Sequence, residues 1–474
     1  MWNTVTLKAG SIPPYGMPTP NGPGDIPELR EPDWLLNAPK DGSWPPPLPD
    51  ISGQLSIAVR GGDVTLSEQP CTCFTGSVEN NICSGIDYTS TAEKINGLCV
   101  YSGEYALKDG KMHMVGNGSN DFGGVGSAVM ATGDSCVEMR NMHITTDGII
   151  RPCTVSAGES CVKIYDSVLI GNGGTLPENY KPVIGMGMME PPAGLGIGGN
   201  CRTHLSLGNS KTYFYDSVIA ADGWAALSTD GCTDSLYLEA NNCEVICRGV
   251  GYGTYSDGGC IVVLNDCNVT TATHTAIMAG DCDLEINRCN VRSGKYGVML
   301  HTVMGSVTEI GRLKITGGKI RTKDAALFLK STNAYICVDG AEIECEDGIL
   351  IRSILNDDPH GTHVPADEPD VYGDKISLNN MTLHGDILCE DTERTMSVSM
   401  ANVQLSGAVK NVYLSMDENS RWTATGDSFI VLVGKASASQ FDAAAGVTVT
   451  AIPGEGCTLS GEYTLPSGGK LIIG

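Results

Sequence analysis

From about residue 54 onward, apolar and polar positions alternate in short runs, each broken by Gly, Asp or Asn. A period of two is that of a half-buried strand, and breaks this frequent leave little room for helices. One line recurs: VEMRNMHI (137–144), VKIYDSVL (162–169), TYFYDSVI (212–219), LYLEANNCEV (236–245), VVLNDCNV (262–269), LEINRCNV (284–291), LKITGGKI (313–320), ICVDGAEI (336–343), ISLNNMTL (376–383) and VSMANVQL (398–405). Each copy reads as a strand, a polar turn, a small residue and a second strand. The small or central residue gives a marker series: Met142, Ser167, Ser217, Cys243, Cys267, Cys289, Gly318, Ala341, Met381 and Val403.

Most marker steps are 22–29 residues. That length holds two or three short strands, the content of one solenoid coil, with equivalent strands stacked about 4.8 Å apart. The marker column is predicted to line a tight inner corner. Cys243, Cys267 and Cys289 are then packing residues rather than redox or metal groups. Two steps are longer, 50 and 40 residues, and each contains an irregular insertion, near 170–199 and 354–374. The first is rich in Gly, Pro and Met. The second carries His360 and His363 among carboxylates.

A further strand follows each repeat and can be aligned as AALSTD (225–230), YGTYSD (252–257), AIMAGD (276–281), GVMLHT (297–302), ALFLKS (326–331) and GILIRS (348–353). Its fifth column, expected to face outward, contains His301, Lys330 and Arg352. Its sixth contains Asp230, Asp257 and Asp281. Residues 1–54 read differently: residues 1–50 hold 12 of the 23 prolines, so this stretch is expected to be an extended arm or cap ahead of a solenoid spanning 55–474. A C-terminal cap is expected over about 435–474.

The formal charge of −25 argues against nucleic acid or an anionic membrane surface as partner. No apolar run is long enough to span a bilayer, and no secretory signal is evident at the N-terminus. A cytoplasmic location follows, or secretion if a signal has been removed. The 19 cysteines form no C-x-x-C pair, which fits reduced thiols. Oligomeric state is not encoded in any feature of the sequence.

The repeat texture resembles the pectin-lyase-like superfamily of right-handed parallel β-helices over roughly residues 55–474. The fold expected is all-β: a single-stranded right-handed parallel β-helix solenoid of about ten or more coils with two long loop insertions. The resemblance implies a carbohydrate substrate, or a small molecule handled by similar chemistry. The N-T-D, D-D, G-H-G and R-I-K set of polygalacturonase-type hydrolases is absent, as are G-x-x-x-x-G-K-[ST] and H-E-x-x-H. No specific member family is therefore indicated.

Asp230, Asp257 and Asp281, stacked about 5 Å apart, would repel, and one would hold a proton. A protonated and an ionised carboxylate are what glycoside hydrolysis needs, so a glycoside hydrolase is the first expectation. The ladder also reads as ordinary turn chemistry, with Asp230 and Asp257 each before a glycine, or as a site for calcium, the one cofactor it suggests. Trp224, Tyr252 and Tyr255 lie beside it as sugar-stacking rings, with Tyr255 also a candidate catalytic group. The alternative is a lyase, epimerase or isomerase in which His301 or His274 abstracts a proton. Lys330, Arg352, Arg202 and Lys181 would then hold an anionic group. A non-catalytic binding or structural β-helix is the third reading.

Overall fold

The computed structural model describes residues 54–66, 73–182, 188–192, 195–230, 236–302, 307–358, 361–364 and 372–474. The proline-rich arm lies, but for residue 54, outside them, as does His360. The described chain is all-β with mostly parallel strand pairing, and no α-helix occurs among these residues. None of their helices is long and apolar enough to cross a membrane. By its internal contacts the chain divides into two compact units, the first ending at Ala276 and the second running from Ile277 to Gly474.

In the first unit every repeat contributes three strands, each paired in parallel with the strand three places further along. The strand before the corner runs Cys136–Arg140, Cys161–Tyr165, Lys211–Tyr215, Tyr237–Asn241 and Ile261–Asn265, all in register. The strand after it runs His143–Asp147, Val168–Asn172, Val218–Ala221, Glu244–Cys247 and Asn268–Thr271. Like residues stack inward, as alternation requires. Ile144, Leu169, Ile219, Val245 and Val269 form one fully buried column.

The second unit repeats the scheme. Cys282–Asn287, Gly311–Thr316, Tyr335–Asp339, Gly373–His384 and Thr395–Ser406 pair in one row. Val298–His301, Leu327–Lys330, Ile349–Ile354 and Asp386–Glu390 pair in another.

The residue before each marker explains the corner. Asn141, Asp166, Asp216, Asn242, Asp266, Arg288, Gly317, Gly340, Asn380 and Asn402 all have φ between +49° and +64°. This left-handed conformation is least costly for Gly and next for Asn or Asp, which is why the turn is polar. The Asn242 N–H donates to the carbonyl of Asn265 one repeat later at 2.9 Å. Its side-chain amide donates to the Asp216 carboxylate one repeat earlier at 2.6 Å. An Asn at the corner thus ties its repeat to both neighbours. Asp109, with φ +54°, makes the same turn ahead of the first recognised copy, in KDGK.

The third row of the first unit departs from alternation. Arg202–Leu207, Trp224–Asp230 and Gly251–Asp257 are buried at every position. Both faces of this row are covered. One cover is the loop 117–127: a Cβ on Gly124 would come within 2.9 Å of Val155. Antiparallel hairpins close each end of the described chain, Gln54–Arg60 with Asp63–Leu66 and Gly461–Thr464 with Lys470–Ile473. Such hairpins protect a parallel edge from pairing with another chain.

Candidate functional site

Two polar clusters stand out, one in each unit. The first forms on the covered third row. Arg202 opens the strand Arg202–Leu207, and its Nε donates to Asp121 Oδ2 at 2.6 Å. Its Nη2 makes a second, very close contact with the same oxygen. Its Nη1 contacts Asp230 Oδ2 and donates to Ser228 Oγ at 3.2 Å. The rings of Trp224 and Phe122 lie 4.9 and 5.3 Å from the guanidinium carbon. Ser228 shares a 2.8 Å hydrogen bond with the Tyr252 hydroxyl, and Tyr252 stacks on Tyr255 at 5.4 Å. All three charged side chains are at most 3% exposed.

One guanidinium here faces two carboxylates out of contact with water. Burial, with Asp121 adding to it, pushes Asp230 up to about 6 against the pull of Arg202. For Arg202, burial works toward the neutral form, but the two carboxylates outweigh it and hold the guanidinium well above its usual range. Burial raises the Tyr252 phenol as well. Trp224 carries φ +64°, a costly conformation for a bulky residue. Its N–H is pinned to the carbonyls of Gly198 and Val250 at 2.6 and 3.2 Å, which fixes that backbone.

The structure thus brings together Arg202, Asp230, Trp224, Tyr252 and Tyr255, but not as an exposed carboxylate ladder. Asp257 is buried, and its Oδ1 accepts from Thr229 at 3.4 Å and from the Cys260 thiol at 3.2 Å. Asp281, in the second unit, is an exposed residue paired with Arg312 at 2.9 Å. The carboxylate that shares a site with Asp230 is Asp121, in a glycine-rich loop 81 residues ahead of Arg202. His274 is buried, its Nε2 3.1 Å from the Leu195 carbonyl of the first insertion. Lys181 is exposed on that insertion.

The second cluster surrounds His301, which ends the strand Val298–His301 and pairs in register with Lys330, as the alignment expected. Lys330 in turn pairs with Ile354, so the alignment of Arg352 with it was two residues off: Arg352 pairs with Phe328 and reaches Glu390 at 2.8 Å. His301 and Lys330, expected on an open surface, are 4% and 5% exposed.

His301, Thr302, Glu309, Thr332 and Asn333 line a small cavity with room for about one water. His301 Nε2 and Asn333 Oδ1 are buried without a hydrogen-bond partner. Burial, with Lys330 adding to it and Asp358 opposing, lowers His301 to about 4, so the imidazole is neutral near pH 7. The Lys330 ammonium is 2.5 Å from the carboxylate of Asp357, which is itself largely exposed. The second insertion is stitched to this edge. Asn356 Nδ2 and the Thr362 N–H donate to the Thr302 carbonyl at 2.9 and 3.2 Å. His363 lies away from the cavity, 3.0 Å from Glu393.

Among the described residues no three His, Cys, Asp or Glu side chains converge as a metal site. No protein-family model and no curated protein matches the chain.

Proposed function

We propose that the chain is a right-handed parallel β-helix of the pectin-lyase-like kind, acting on a carbohydrate or similar small acid by proton transfer at His301. The carrying observation is a buried, neutral imidazole that lines a small cavity and whose Nε2 has no hydrogen-bond partner. Buried polar atoms are nearly always satisfied, so an orphan of this kind calls for a bound water or ligand group. Lys330 supports the same reading. Its ammonium is held by an exposed carboxylate, which a substrate carboxylate can replace at low cost. A uronide carboxylate on Lys330 would place the adjacent carbon acid near His301, the demand of a lyase, epimerase or isomerase.

The test is solvent-deuterium incorporation across a panel of uronides and small hydroxy acids, read by product mass. Wild-type protein is expected to exchange one carbon-bound hydrogen, and H301Q to lose at least a hundredfold in rate. Undiminished exchange in H301Q would overturn the assignment.

A glycoside hydrolase centred on Asp230 is the second reading. It is favoured by the proton that Asp230 retains to about 6 beside a second carboxylate and several aromatic rings. Release of reducing sugar that D230N abolishes and H301Q leaves intact would select it. A non-catalytic solenoid predicts neither signal.

A further inference from the structure

We propose that Cys136 and Cys161 form a surface dithiol that exchanges with low-molecular-weight disulfides and closes into a cross-strand disulfide between consecutive repeats. The two residues open the strands Cys136–Arg140 and Cys161–Tyr165 and are direct partners in the parallel register. Partners in adjacent strands point to the same face about 4.8 Å apart, within the Cα separation that a disulfide bridges. Cys136 is exposed and Cys161 half-buried, and their thiols lie in hydrogen-bonding contact. Cys243 and Cys267 also touch, but both are buried beyond the reach of a reagent.

The surroundings point to an anionic disulfide. Lys211 is the next residue in the same column after Cys161, and Lys163 lies two residues along its strand. Both ammonium groups act on the Cys161 thiol. Burial, with Cys136 adding to it, raises the Cys161 thiol, and the two ammonium groups pull against that shift; they would also attract the carboxylates of a glutathione-like molecule.

The exchange balances in two steps. The Cys136 thiolate attacks one sulfur of the small disulfide, forming a mixed disulfide and releasing one small thiolate. The Cys161 thiolate then attacks Cys136 Sγ, forming the Cys136–Cys161 bond and releasing the second. The two protons from the protein thiols end on the two small thiols, and the small disulfide is the oxidant. Cys136, the exposed partner, attacks first, and Cys161 resolves.

The test treats the folded full-length chain with oxidised glutathione, alkylates the remaining thiols and maps peptides by mass. The expected product is a Cys136–Cys161 cross-link lacking two hydrogens, reversed by dithiothreitol. C161S should accumulate a stable glutathione adduct on Cys136. C136S should modify Cys161 at least tenfold more slowly than wild-type protein modifies Cys136. A persistent adduct on wild-type Cys136 without a cross-link would overturn the proposal, as would a cross-link between other cysteines, or no reaction. Unchanged circular dichroism in both variants shows that neither result reflects unfolding.

Discussion

At the scale of single residues, the chemistry of Arg202 turns on a count of charges. One cation and two carboxylates are buried together, so the cluster is short of one positive charge. Replacing Asp230 by Asn leaves a balanced Arg202–Asp121 pair, whereas replacing Arg202 by Met leaves two carboxylates sealed from water. R202M is therefore expected to cost about 3–5 kcal/mol at pH 7 and D230N about 1 or less, measured by urea unfolding. The pH dependence follows. A carboxyl raised from 3.8 to about 6 binds its proton more tightly in the folded state. Its contribution to stability is full below pH 3.8 and is lost as pH rises through 6. His301, lowered to about 4, acts oppositely: its contribution is present above about pH 6.5 and lost as pH falls through 4. The stability of wild type relative to D230N should thus fall by about 2 kcal/mol between pH 4 and 6. A flat difference would show that Asp230 does not carry the proton. Asp230 and Arg202 were both visible in the sequence as candidates. Asp121 was not, because a contact across 81 residues leaves no trace in spacing.

At the scale of elements, the corner is what makes the repeat legible. Its left-handed residue precedes every marker, so the polar turn and the small residue recur together even where the strands differ. The corner at Asp109 was missed because the strands flanking it, Glu104–Lys108 and Lys111–Val115, include EYALK and KMHMV, too polar outside to stand out. The third row was read less well. Its continuous burial erases the alternation on which inward and outward columns were assigned, and the strand Ile349–Ile354 sits two residues further along the chain than the alignment placed it, which displaced Arg352. The corner rule yields a prediction for the one member that is not Gly, Asn or Asp. Arg288 sits at φ +53° and carries the left-handed penalty. R288N should raise stability by about 0.5–1 kcal/mol, and N242V should lower it by about 1–2 kcal/mol, with no change in the denaturant slope. Equal unfolding midpoints for the two variants and wild type would remove the corner as a stabilising device.

At the scale of the whole molecule, strand pairing runs between near neighbours in sequence. Stability in such chains is approximately a sum of repeat and neighbour terms, and cooperation weakens with length. The division after Ala276 falls inside a run of repeats, and the two units differ in what secures them. The first carries the buried Arg202 cluster and the covered third row. The second has more surface ion pairs between neighbouring repeats, such as Lys319–Glu344 at 3.2 Å and Arg321–Glu344 at 2.6 Å. Exposed pairs contribute little and weaken with salt, whereas a buried triad is largely indifferent to it. Thermal unfolding is therefore expected in more than one step, with a calorimetric enthalpy above the van't Hoff value. R202M should lower the step belonging to the first unit and leave the other in place, while salt should shift the second more than the first. Hydrogen exchange read peptide by peptide assigns each step. A single transition that R202M moves as a whole would mean that the repeats on either side of Ala276 fold as one cooperative body.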